Sequence, residues 1–102
     1  MKNRKVFDEV KMRWDDWSKA AFPSGASDME INGTHLIEID TFSAGCIRVF
    51  VENQGKLDQE RIDILRNCTR DLDEVVDQLS GNIKDYFIQL SELSHRVLES
   101  VG

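Results

Sequence analysis

The sequence predicts an all-α domain, an antiparallel four-helix bundle or a similar small helical domain, formed by residues 1–102 as a single unit. Apolar residues recur every third or fourth position through most of the chain, which is the period of a helix buried on one side. Turn-forming residues, Pro23, Asn32-Gly33, Gly55 and Gly81, divide that pattern into four stretches joined by short connections. The balance of 40% hydrophobic and 31% charged residues is that of a globular domain, and 102 residues leave room for one core.

The first helix is expected over about 3–22. Val6, Val10, Trp14, Trp17 and Ala21 follow one another at spacings of four, four, three and four, with Asn3 as cap and Pro23 as stop. Ser24 to Asp28 has turn composition, although Ser27 with Glu30 has the form of a capping box and offers an early start to the next helix. Asn32-Gly33 interrupts the chain, and the second helix is placed at about 34–53.

That second segment fits two periods. Ile47, Val49 and Val51 alternate with Arg48 and Glu52, so an α+β alternative has a hairpin at 35–52 turning at Ser43-Ala44-Gly45. The first of those strands would place Leu36 and Phe42 on one face with Glu38 and Asp40. As a helix, Leu36, Ile39, Ser43, Cys46 and Phe50 align, and the small residues 43–45 mark a close helix crossing; the helix is preferred.

Gly55 suits the C′ position closing this element. Asp58 caps the third helix, about 58–80, and Leu57 with Ile62 has the spacing of a hydrophobic staple. Ile62, Leu65, Thr69, Leu72, Val76 and Leu79 form its apolar stripe. Gly81 breaks the chain, and Asn82 with Asp85 caps a fourth helix over about 82–100, buried through Ile83, Phe87, Leu90, Val97 and Val101 and supported by Tyr86, Leu93 and Leu98.

Several chemistries find no support. The formal net charge of −6 opposes direct nucleic-acid binding, which draws on Lys and Arg. The glycines are isolated and none opens a phosphate loop. Glu92-Leu93-Ser94-His95 matches the Glu-x-x-His of di-metal bundles only once and on the polar side of its helix, so neither a metal nor another cofactor is expected. Cys46 and Cys68 fall on or beside apolar stripes and read as core thiols, and no catalytic residue is assigned. The first residues meet acids before any apolar run develops, and no stretch approaches the length of a membrane span. A soluble cytoplasmic protein without membrane association is expected.

Charge is unevenly distributed. Residues 1–22 hold six basic and four acidic residues, for +2, whereas residues 23–55 and 56–102 each sum to −4. The first helix is therefore suited to lie across the acidic remainder. The third carries Asp63, Arg66, Asn67, Arg70, Glu74 and Asp77 opposite its apolar stripe, a face that i,i+3 and i,i+4 ion pairs can lace. Asp71, Asp73, Glu74 and Asp77 place four acids in seven residues without an intervening base, a candidate surface for steering a basic protein. Asp15 and Asp16, between Trp14 and Trp17, join them as candidate partner contacts: one partly covered tryptophan would set an aromatic ring beside carboxylates. Met12 and Ile88 lie off the apolar stripes and would mark an interface if exposed together.

The stretch from Gly55-Lys56-Leu57-Asp58 through Asp71-Leu72-Asp73-Glu74, in an acidic helical chain with no catalytic constellation, resembles in general character the small acidic bacterial toxin-immunity proteins of colicin and contact-dependent inhibition systems. The resemblance implies a chain that neutralises a basic toxin such as a nuclease, its carboxylates standing where substrate phosphates bind. Two other functions remain open at this point. One is a self-associating structural or regulatory helical protein, and the other is a small enzyme with a site assembled from His35, Cys46 or the acids. The oligomeric state expected is a monomer or weak homodimer.

Overall fold

The computed structural model describes residues 4–101, so Asn3 and its expected cap lie outside the described residues. Four helices carry the fold: α1 (Arg4–Trp17), α2 (Leu36–Glu52), α3 (Gln59–Val76) and α4 (Gly81–Val101). Two short antiparallel strands, β1 (Glu30–Ile31) and β2 (Thr34–His35), precede α2. The domain is mostly helical, and residues 35–52 are a helix rather than a hairpin apart from His35, the last residue of β2.

Contacts between helices establish the directions. Glu9 meets Arg96, Arg13 meets Glu92 and Trp17 meets Tyr86, so α1 and α4 run oppositely. Phe7 packs on Phe50 while Trp14 and Trp17 share a cleft with Asp40, which sets α1 against α2 in the same sense. The Cys46 thiol lies on the Arg61 carbonyl, whereas Phe42 shares a cavity with Cys68 and Asp71, so α2 and α3 are also antiparallel. The result is an up-down-up-down bundle. α2 and α4 each pack against every other helix, and α1 and α3 chiefly against those two.

The core is a single cluster in which Val10, Leu36, Ile47, Phe50, Leu65, Leu72, Phe87, Leu90 and Val97 have no exposed surface. The α3 and α4 stripes follow the expected spacing, with two changes. Val75 is buried and Val76 only partly so, and Ser91 and Ser94 stand on the buried side of α4. In α1 the helix is rotated from the expected stripe, Phe7 being buried where Val6 is half-buried; Ala21, also expected on that stripe, lies beyond the end of the helix and is exposed. Phe7 takes that place because Phe50 and the side-chain-free surface of Gly55 form its slot; a Cβ on Gly55 would stand 3.3 Å from the Phe7 ring.

Helix α1 ends at Trp17 instead of Phe22. At about 100° per residue, Phe22 would point roughly 140° away from Trp17 if the helix continued. Unwinding lets both rings reach α4, where Phe22 meets Tyr86 and Phe87 edge-on. Two expectations for the following segment are corrected. Glu30 belongs to β1 and not to a helical capping box after Ser27, and Thr34-His35 is a strand and not the first turn of α2. The cause is Asn32-Gly33, whose positive φ values of 54° and 82° make the tight turn that antiparallel strands favour. The pairing Glu30 with His35 and Ile31 with Thr34 follows, and the Leu36 amide continues it onto the Met29 carbonyl.

The remaining boundaries are local. Gln54, at φ 59°, occupies the left-handed C′ position, and Gly55 is the residue after it, its amide bonding the Phe50 carbonyl at 2.8 Å. The Asp58 carboxylate caps α3 by accepting the Arg61 amide, as expected. Helix α3 stops at Val76, and Leu79 is buried in the turn that follows. Gly81 opens α4, so Asn82 lies within the first turn and not at the cap. None of the helices among the described residues is long and apolar enough to cross a membrane.

Candidate functional site

The acids singled out in the sequence fall into different environments. Helical rotation separates Asp71 from Asp73 by roughly 160°. Asp73 faces α4, where it accepts the Ser91 hydroxyl at 2.7 Å and lies 2.8 Å from His95 Nε2. Asp71 is half-buried on the α2 side, 4.0 Å from Arg70, and lines a small cavity with His35, Glu38, Phe42 and Cys68. Glu74 and Asp77 point outward between these flanks, and among the described residues neither forms an ion pair. Asp63 pairs with Arg66 as the spacing suggested, whereas Arg70 turns to Asp71 rather than to Glu74.

Asp15 and Asp16 are exposed near the end of α1 and likewise form no ion pair among the described residues. Among the described residues, the positive segment meets the acids of the remainder through one bridge, Arg13 to Glu92 at 3.4 Å; the shorter contact, Glu9 to Arg96 at 2.6 Å, runs with the opposite polarity. Arg96 holds the Glu9 carboxyl below its ordinary range. Glu92 and His95, the single Glu-x-x-His, are thus engaged with Arg13 and Asp73 respectively. No group of three or more His, Cys, Asp or Glu among the described residues is arranged to hold a metal.

His35 and Cys46 lie in different surroundings. His35 stands 3.9 Å from Glu30 on the hairpin, and the Cys46 thiol is buried against the Arg61 carbonyl, its pKa pushed up to about 11 by burial. Cys68 does share the cavity of His35, but burial raises its thiol too, the opposite of what a nucleophile needs.

A concavity of about 380 Å³ lies between α1, α2 and α4. Trp14, Trp17 and Tyr86 form one continuous aromatic wall, with ring centroids 5.6 and 4.9 Å apart. Trp14 is half-buried, the partly covered tryptophan that the sequence left open, and the carboxylate in its cleft is Asp40 rather than Asp15 or Asp16. Asp40 Oδ1 accepts the Tyr86 hydroxyl at 2.8 Å. Burial raises the Asp40 carboxyl above its ordinary value, partly offset by that hydrogen bond, and burial together with the neighbouring carboxylate raises the Tyr86 phenol. The floor is small: Ala44 and Gly45, with open space where a Gly45 side chain would stand. Gly45 therefore borders a cleft and does not mark the close helix crossing expected of residues 43–45, although Ser43 is fully buried. Arg48 closes the far end.

A group whose pKa rises on folding binds its proton more tightly in the folded state, so the ionised form costs stability once pH exceeds the unfolded value of 3.8. Asp40→Asn, which keeps an acceptor for Tyr86, should match the parent protein in thermal midpoint at pH 3 and exceed it at pH 7. A lower midpoint at pH 7 would contradict the assigned cause.

The fold places the chain among small, mostly α-helical domains. Comparison with protein-family models, curated proteins and solved structures finds no match to it.

Proposed function

We propose that the protein is a non-catalytic binding module for a basic protein partner, and specifically an immunity protein that neutralises a toxin such as a nuclease by covering its active or substrate-binding site. The observation that carries this reading is the set of outward carboxylates, Asp15, Asp16, Glu74 and Asp77, which form no ion pair among the described residues in a chain of net charge −6. Fixed charges left unneutralised create a field that accelerates encounter with a basic surface. Phe42, 56% exposed on the flank of α2 and lining the cavity of Asp71, supplies the kind of aromatic anchor on which tight interfaces depend.

The test begins with the neighbouring reading frame. Its product should arrest growth when expressed alone and be harmless when co-expressed with this chain. In rapid mixing, association of the two should slow about tenfold or more as ionic strength rises from low to several hundred millimolar. The double reversal Glu74→Lys, Asp77→Lys should slow it several-fold at low salt, on an exposed surface that leaves the fold intact. An association rate indifferent to salt and to both reversals contradicts the reading.

A further inference from the structure

We propose that the cleft walled by Trp14, Trp17 and Tyr86 receives a guanidinium side chain of the partner, stacked on Trp14 and paired with Asp40. This inference rests on the reading above that the partner is a basic protein. The wall is aromatic on three rings, and the negative face of such rings attracts a cation, most effectively where water is excluded. Asp40 stands within the cleft, yet among the described residues no Lys or Arg forms an ion pair with it; its Oδ1 is held by the Tyr86 hydroxyl instead. Burying a carboxylate with no cation is unfavourable, and burial does raise this one. An incoming cation would remove that cost, so the site is weak when empty and gains on occupation.

Size and shape point to a side chain rather than a cofactor. About 380 Å³ is near the lower end of ligand cavities, and the site is open to solvent along α2. Gly45 keeps it open: a glycine inside a helix is less favourable than alanine, and nothing within 4 Å of the absent Cβ requires it for packing. A guanidinium fits better than an ammonium because it is planar, stacks on rings and is more weakly hydrated. Arg48 lies eight residues beyond Asp40, roughly 12 Å along the helix axis, and lines the cleft without forming an ion pair with Asp40 among the described residues.

The test uses the whole chain and Nα-acetyl-arginine amide, followed by two-dimensional amide NMR and Trp fluorescence. Saturable shifts at Trp14 and Gly45 are expected, with a Kd on the order of millimolar for so small a probe. Asp40→Asn should weaken binding about tenfold with the fold retained, Gly45→Leu should abolish it by filling the cleft, and Arg48→Glu should strengthen it. The uncharged isostere, Nα-acetyl-citrulline amide, should produce no saturable shift. Equal response to the citrulline probe, or arginine binding unaffected by Asp40→Asn, overturns the inference. Because this experiment needs no partner, its failure leaves salt-steered association to be judged separately, and loss of that steering would not erase arginine binding here.

Discussion

Phe87→Ala is expected to lower the free energy of unfolding by about 3–5 kcal/mol. Phe87 has no exposed surface and lies where the long α1–α2 connection meets α4, with Phe22 edge-on at 6.1 Å and Tyr86 at 5.1 Å. Removing the ring leaves a cavity and also takes from Phe22 one of its aromatic partners, Tyr86 being another; Phe22 and the fully buried Ala26 fasten residues 18–29 to the bundle. For a domain of this size each kcal/mol shifts the thermal midpoint by roughly 4–8 °C. A loss of about 15 °C or more is therefore expected in a thermal melt, and a shift under about 5 °C would show that the connection does not depend on this contact.

Gly55→Val should destabilise by about 2–3 kcal/mol through two separable causes. Gly55 sits at φ 94°, a conformation that costs a β-branched residue strain wherever it occurs. Its Cβ would also press on Phe7, whose ring is already backed by Phe50 at 5.8 Å. Gly25→Val is the control, since Gly25 has a similar φ of 89° and nothing within 4 Å. Denaturant titration should show a markedly larger loss for Gly55→Val, and equal losses would mean that the Phe7 slot tolerates the added atoms.

Much of the scaffold is legible in the residues because its signals are local. Ile62, Leu65, Thr69 and Leu72 repeat at one helical period, and that repetition alone says which side of α3 is buried. Asp58 reads as a cap because the amide it binds is three residues away. Asn32-Gly33 was equally local, and its hairpin could have been read from the preference of that pair for two positive φ values.

The candidate sites were less accessible for a physical reason. Asp40 and Tyr86 are 46 positions apart, and only the rotation of α2 against α4 brings the carboxylate to the hydroxyl. The rotation of α3 against α4 likewise decides that Asp73 is engaged by Ser91 and His95, while Glu74, one residue further, forms no ion pair among the described residues. The stripe of α1 illustrates the division, since Val6 and Phe7 both extend it at helical spacing, and the slot beside Gly55 selects Phe7.

The sequence by itself therefore determined four helices, the buried sides of α2, α3 and α4 and the α3 cap, each of which depends on neighbours within one or two turns, together with a net charge of −6. The tertiary structure alone decided where α1 ends, which carboxylates form no ion pair among the described residues, and that Trp14 and Tyr86 wall a cleft around Asp40. Those features arise from the register between helices, which is set by the packing of all four together and is written in no single segment.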